Sequence, residues 1–362
     1  MSAGPILIMA GGTGGHVFPA LAVAQVLRSR EREVVWLGTR LGLEARLVPP
    51  AGIPIEWIHV GGLRGKGAAT LLAAPLALAL ALWQAIGVLR RLRPSAVLGM
   101  GGFVSGPGGF AAWLLRRPLI IHEQNTVPGL TNRLLARVAR VVLEAFPGSF
   151  RAATGARHTG NPVRAAISAL APPDIRLAGR SGPLRLLVLG GSQGALRLNQ
   201  VVPEAVFRLP TRLRPQVWHQ AGTRTLAVAE QAYRQAEIEA RLEAFIDDMA
   251  AAYAWADLVI CRAGALTVSE LANAGVGAVL VPFPAAVDDH QTSNARQLVA
   301  AGAGLLVPEA ELTAERLAQD LGALLDDRGR LLAMARAARA QAMPDAAERV
   351  ADACLGAGRA AA

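Results

Sequence analysis

The run GGTGGH at residues 11–16 places glycines, a hydroxyl and an imidazole between the apolar stretch ILIMA at 6–10 and the helical pattern VFPALAVAQVL at 17–27. A glycine-rich turn from strand to helix offers backbone N–H groups at the positive end of a helix dipole, which suits a phosphate. His16 adds a side chain whose type titrates near neutral pH, so the turn can also carry a general base, or simply a helix-start residue with local bonds. Neither familiar phosphate fingerprint applies. G-x-G-x-x-G fails because Val17 stands at its third glycine, and GGLRGKGA at 61–68 has the wrong spacing for a P-loop, with Gly67 where a hydroxyl should bind magnesium.

A second chemical stretch lies at residues 245–294. There ADLVI reads as a buried strand, RAGA as a turn and LTVSELANA as a helix whose first N–H groups are free to hold a diphosphate. Glu270 follows inside that helix, where a carboxylate can accept from both hydroxyls of a ribose or serve as an ordinary dipole-favoured acid. Gln291 and Asn294 come after the next strand, at the carboxyl edge where open α/β sheets bind ligands. Arg262 is left open between phosphate pairing and loop capping. HEQN at 122–125 ends another strand with four polar side chains, of which Asn125 suits a sugar amide or hydroxyl. GMGGFVSGPGG at 99–109 carries six glycines, which suits close backbone approach to a bulky anion or plain turn geometry. Metal chemistry has little support, since no D-x-D pair and no zinc-spaced His/Cys cluster occurs.

These residues need strands and helices to hold them. Strand-like runs recur at 33–38, 94–102, 118–125 and 140–146, and again at 184–191, 216–222, 256–264 and 276–284, with helical intervals between. That alternation predicts parallel sheets with helices on both faces. Gly11-Gly12-Thr13 and Gly190-Gly191-Ser192 open the two halves alike, so two Rossmann-like domains facing a cleft are expected. The hinge is placed at TGNPVR, residues 159–164, with domains at 1–161 and 162–342 and a closing helix at about 343–362. A length of 362 residues, 52% apolar and 18% charged, agrees with two globular cores. Two cysteines without a C-x-x-C pair fit a reducing compartment, and the lack of a basic residue before Arg28 argues against a signal peptide.

Charge is uneven. Residues 1–160 hold 17 Lys/Arg and six Asp/Glu, while the remainder holds 20 and 21. No acid occurs between Glu56 and Glu123, a span that contains Arg64, Lys66, Arg90, Arg91, Arg93, Arg116 and Arg117. With aromatics at 4% and no recognition motif, nucleic acid is set aside, and an anionic membrane surface suits the basic half better. The uncharged segment 68–89 is long enough to span a bilayer. Its eight alanines, a break expected at Pro75 and basic residues at both ends argue instead for a buried helix or a helix pair with one face in the interface.

Together GGTGGHVFPALAVA, GLRGKG, VLGMGGFVSGPGGFAAW, HEQN, GNPVR, GGSQGALRLN, FIDDMAAAYAWAD and CRAGALTVSE, in this order, closely resemble the MurG family, which transfers N-acetylglucosamine to undecaprenyl-diphosphate-linked muramyl pentapeptide. The resemblance implies a GT-B fold and an inverting glycosyltransferase of peptidoglycan synthesis with no cofactor and no metal. It implies that UDP-N-acetylglucosamine is bound by Arg164, Ser192, Ile246, Ala265, Leu266, Thr267, Val268, Ser269, Glu270 and Gln291, with Thr13, Gly14, Gly15 and Asn125 reaching its sugar and phosphate. His16 is the expected base. Gly101, Gly102, Ser105 and Gly106 are the candidates for the acceptor diphosphate. The implied setting is peripheral, on the cytoplasmic face of the inner membrane, with cell-wall or division proteins as further partners. Phe103 departs from the tyrosine of many relatives. Rival readings are a GT-B glycolipid synthase, a sugar-nucleotide epimerase and a non-catalytic membrane scaffold.

Overall fold

The computed structural model describes residues 4–61, 68–191, 194–286 and 289–359, with the backbone alone at 68–73 and Arg359. The chain forms two compact units, Met1–Arg164 with Pro344–Ala362, and Ala165–Met343.

In the first unit the elements run β1 (Ile6–Met9), α1 (Gly14–Ser29), β2 (Val34–Gly38), α2 (Glu44–Leu47), β3 (Ile55–Trp57), α3 (Ala68–Leu92), β4 (Ala96–Gly99), α4 (Ser105–Leu114), β5 (Leu119–Glu123), α5 (Leu130–Leu135), β6 (Val141–Glu144) and β7 (Arg157–His158). The strands make one parallel sheet in the order β3-β2-β1-β4-β5-β6-β7. β1 is buried along its whole length, as a central strand covered on both faces must be. It pairs Ile6 with Val34 on one side and with Ala96 on the other. α1 buries Val17, Ala20, Val23, Ala24 and Leu27, a helical stripe on the sheet.

α3 is one continuous helix through Pro75, so the break expected there does not occur. It is neither fully buried nor a pair. Ala74, Ala81, Ala85, Val88 and Leu89 are buried, whereas Leu76, Leu78, Leu80 and Trp83 are exposed. The portion Ala74–Leu92 is long and apolar enough to cross a membrane by length and composition, with a mean hydropathy of 1.3. The buried spacings of three, four and seven residues instead mark a helix packed along one face.

The second unit contains α6 (Ala165–Ser168), α7 (Pro173–Arg176), β8 (Arg185–Leu189), α8 (Leu196–Arg208), β9 (Gln216–Gln220), α9 (Leu226–Gln235), β10 (Ala240–Glu243), α10 (Met249–Trp255), β11 (Leu258–Cys261), α11 (Ala265–Ala274), β12 (Gly277–Leu280), α12 (His290–Ala300), β13 (Gly304–Leu306), α13 (Ala314–Leu325) and α14 (Arg328–Ala340). Its parallel sheet has the order β10-β9-β8-β11-β12-β13. The chain then returns to the first unit as α15 (Ala346–Arg359), which packs on α1 and adds Val350, Ala351 and Cys354 to that unit's core.

Both sheets reverse direction of growth at one place, between β1 and β4 and between β8 and β11. Ligands of doubly wound folds bind beyond the carboxyl ends of the strands at such a switch point. GGTGGH and GMGG follow β1 and β4, and RAGA follows β11.

Candidate active site

At the first switch point two glycine loops lie against each other. Gly101 and Gly102 adopt φ of +96° and +80°, which side chains rarely tolerate. A Cβ on Gly102 would stand 2.2 Å from the carbonyl oxygen of Gly11, and one on Gly101 2.6 Å from Nδ1 of His16. The space these glycines leave is therefore filled by the chain itself. Ser105, expected at the acceptor diphosphate, is fully buried. Its Oγ accepts from Gly101 N at 3.1 Å and donates to the Gly101 and Met9 carbonyls at 2.8 and 3.2 Å, so it secures the loop and presents no hydroxyl to a ligand. Gly106 is half-buried in the first turn of α4.

The loop after β1 is held from below by Glu44, a fully buried carboxylate with no signal in the sequence pattern. It accepts from Gly12 N at 2.9 Å and from Thr39 N and Oγ1 at 2.9 and 2.7 Å. Thr13 caps α1 through its carbonyl, which accepts from His16 N and Val17 N. Gly14 and Gly15 form the first turn. One N–H of this turn is thus committed inward to a negative charge.

His16 is half-buried, and its Nδ1 lies 2.8 Å from Oε1 of Gln124. Nε2 of Gln124 is 3.1 Å from Nδ1 of His122 and donates to the His122 carbonyl at 3.0 Å. Nε2 of His122 is 3.0 Å from the Gly160 carbonyl. Burial lowers the pKa of His122 to about 4, so it is neutral at physiological pH. Glu123 is also buried and accepts from Asn125 N and Nδ2, Gly129 N and Asn132 Nδ2. Both its oxygens are spent on shaping the loop that presents Asn125. Arg164 lies in the first unit, its guanidinium 5.1 Å from the Phe18 ring centre.

At the second switch point α11 begins at Gly264, which caps it without a side-chain bond, and its first turn contains no acid. The dipole and the leading N–H groups of Ala265, Leu266 and Thr267 make this end attractive to an anion. Val268 N already bonds the Gly264 carbonyl, and its side chain is buried. Ser269 Oγ donates back to the Ala265 carbonyl at 2.9 Å. Glu270 is nearly buried, and its Oε2 accepts from the Tyr253 hydroxyl at 3.1 Å. Burial, then the charge of Glu270, pushes the neighbouring Cys261 thiol up to about 12.

The far end of α11 is anchored by arginines, as a negative dipole end favours. Arg176 reaches the Ala274 and Gly275 carbonyls, and also those of Tyr253 and Ala256, while Arg339 reaches the Asn273 carbonyl. Burial, with the nearby Arg180 and Arg339 cations, lowers Arg176 to about 10. α12 packs beside α11, where Gln291 Oε1 accepts from Phe283 N at 2.9 Å and Asn294 donates to the Ala263 carbonyl. Ile246 has a buried side chain, so only its main chain can meet a ligand. Arg262 is a clamp, bonded to the Val281 and Pro282 carbonyls and paired with Glu309. Ser192 and the GLRGKG motif at 62–67 lie outside the described residues.

The structure thus gathers His16, Gly101 and Gly102 in the first unit, and the run 265–270 with Gln291 on neighbouring helices in the second. Sequence reasoning missed Glu44, the bridging role of Gln124, and Tyr253. Of these only Tyr253, one of two tyrosines in the chain, stood out by type.

The glycosyltransferase family 28 N-terminal domain matches residues 6–144, and the family 28 C-terminal domain matches residues 185–350. A protein of Nitrosococcus oceani named UDP-N-acetylglucosamine–N-acetylmuramyl-(pentapeptide) pyrophosphoryl-undecaprenol N-acetylglucosamine transferase is 63% identical over 350 residues, covering 97% of this chain and 98% of its own. The crystal structure of Acinetobacter baumannii MurG superposes with a TM-score of 0.84 at 42% identity, covering 98% of this chain and 99% of that one. A UDP-N-acetylglucosamine 2-epimerase structure shares the fold with a TM-score of 0.66 at 14% identity, covering 96% and 95%. With both family 28 domains in order and high identity along nearly the whole length, this GT-B chain belongs to the MurG family of glycosyltransferases.

Proposed function

We infer that this chain transfers N-acetylglucosamine from UDP-N-acetylglucosamine to the muramyl 4-hydroxyl of lipid I, the undecaprenyl-diphosphate-linked muramyl pentapeptide, giving lipid II for peptidoglycan. The observation that carries this reading is the 63% identity spanning both chains almost entirely, which an epimerase sharing the fold alone does not approach.

The chemistry then divides between the units. The second holds the donor: the diphosphate at the amino end of α11, the ribose hydroxyls at Glu270, and the remainder near Ile246 and Gln291. The first serves the acceptor, with His16 as base, while its Thr13, Gly14, Gly15, Asn125 and Arg164 reach the sugar and phosphate of the donor. The 4-hydroxyl oxygen attacks C1 of N-acetylglucosamine from the face opposite the diphosphate, and its proton passes to the imidazole. The bond from C1 to the β-phosphate oxygen breaks, its electrons leave with UDP, and the configuration at C1 inverts. N–H groups at 265–267 stabilise the departing charge.

The membrane reading rests on side chains of the first unit. Leu76, Leu80 and Trp83 of α3, Phe110, Trp113 and Leu114 of α4, and Leu130 and Leu134 of α5 are exposed on helices that pack α3 to α4 to α5. Arg90, Arg116, Arg133 and Arg137 are exposed on or just after the same helices. Such a surface suits peripheral binding to the anionic cytoplasmic leaflet, where the lipid acceptor resides, beside other cell-wall and division proteins.

Labelled UDP-N-acetylglucosamine and a short-chain lipid I analogue test the reaction. A β-linked disaccharide product is expected. Epimerisation of the donor, transfer only to a diacylglycerol, or no turnover would overturn the reading in favour of one of its rivals.

A further inference from the structure

Gln124 sits between two histidines of unlike character, and the hydrogen bonds allow it only one orientation. The Gly160 carbonyl can only accept, so Nε2 of His122, at 3.0 Å, carries the N–H. A neutral His122 then has its lone pair on Nδ1, which needs a donor, and Gln124 Nε2 stands 3.1 Å away. The same Nε2 donates to the His122 carbonyl at 3.0 Å, a second group that can only accept. The amide oxygen of Gln124 is thereby turned to Nδ1 of His16 at 2.8 Å, and an oxygen without hydrogen can only accept there. Two backbone carbonyls at one end thus dictate which nitrogen of His16 holds its proton at the other.

We propose that Gln124 is a positioning residue for the transfer reaction: bridging His16 to the buried His122, it holds His16 in the Nδ1–H tautomer and so keeps the Nε2 lone pair for the acceptor's proton. This rests on the reading of His16 as the base. The arrangement serves both stages of the reaction, because the imidazolium formed after proton transfer still donates from Nδ1 to the same amide oxygen. Burial contributes in a definite way. His122 and Gln124 are almost wholly excluded from water, so no solvent molecule competes to turn the amide around. The ring itself is steadied by the bare Cα of Gly101, where any Cβ would meet Nδ1. A neutral amide performs here the orienting task that a carboxylate performs in hydrolase triads, without placing a second negative charge near a diphosphate.

The test compares Gln124→Met, which keeps length and removes all three side-chain hydrogen bonds, with Gln124→Glu, which keeps an acceptor for His16. Turnover of Gln124→Met should fall roughly 10- to 100-fold, the scale on which a metal-bound histidine feels the loss of its hydrogen-bond partner, with KM for both substrates unchanged. Gln124→Glu should recover part of that loss. Nitrogen-15 NMR of the labelled protein should show His16 as the Nδ1–H tautomer in the parent and a mixture in Gln124→Met. In the His16→Ala background, Gln124→Met should cause no further loss, since it acts only through that ring. A parent enzyme with His16 protonated on Nε2, or losses that multiply in the double variant, would overturn the proposal even if His16→Ala is inactive. Near-normal turnover of His16→Ala would instead overturn the assignment of the base, a distinct failure.

Discussion

The turn after β1 and the start of α11 flank the switch points of two sheets of the same design, one following the inner strand β1 and the other following β11 across its own switch point, yet they are finished differently. In the first, main-chain groups are directed into the protein: Gly12 N bonds buried Glu44, Gly101 N bonds Ser105, and the bare α-carbons of Gly101 and Gly102 admit neighbouring atoms. What remains on offer is a side chain, His16. In the second, the helix start has neither side-chain cap nor acid, and arginines pin its opposite end. What remains on offer there is backbone. On the reading proposed above, one switch point aims an imidazole and the other holds an anion, so a shared topology does not imply a shared ligand.

The largest effect should come from removing the imidazole. His16→Ala is expected to lower turnover by roughly 100- to 10,000-fold, the range for one general base, while UDP affinity measured by calorimetry stays unchanged. A matching loss of UDP affinity would show that the first turn also holds the nucleotide, and the contrast would collapse.

Acid should loosen the frame around that imidazole. Burial holds His122 neutral with a pKa of about 4, and buried His219 of the second unit with one of about 3, both below the free value of 6.5. Between those values and 6.5 the unfolded chain binds more protons than the folded one. Stability is therefore full above pH 6.5 and lost as pH falls, levelling for His122 near pH 4 after about 3 kcal/mol. Denaturant midpoints across pH 7 to 4 check this, and a flat profile would mean the rings are not held neutral.

On the other side of the comparison, Glu270→Ala should weaken UDP and UDP-sugar binding alike. Hydrogen bonds to a charged acceptor contribute about 1.5–3 kcal/mol, roughly 10- to 150-fold in affinity. Equal UDP affinity in parent and variant would leave the helix start without its ribose contact.

The smallest expected effect concerns the basic surface of the first unit. Replacing Arg116 and Arg133 with Gln should reduce binding to vesicles of anionic lipid by about 1 kcal/mol for each charge, an effect that salt erases. Binding that needs detergent for release, whatever the salt, would point to insertion of α3.

Central strands were legible because they are buried on both faces and therefore read as unbroken apolar runs, as ILIM and LVIC do. Edge strands were not. Ile55–Trp57, Arg157–His158, Ala240–Glu243 and Gly304–Leu306 are short and partly exposed, so their residues carry no such pattern and pairing with a neighbour alone defines them. Pro75 misled for a related reason. Loss of one helical hydrogen bond is a local cost, and packing along the rest of a 25-residue helix outweighs it.

The sequence by itself determined the parallel α/β architecture and the glycosyltransferase family, and it singled out the stretches proposed to bear the chemistry, because periodicity, glycine spacing and residue type are local quantities. Only the tertiary structure decided that Ser105 is buried, that Arg262 is a clamp, that Glu44 holds the first turn 32 positions away, and that Gln124 joins His16 across 108. Hydrogen bonds between residues so far apart leave no periodic trace. They exist because the fold brings the ends of β1, β4 and β5 to one edge, where buried polar groups must find partners wherever the chain supplies them.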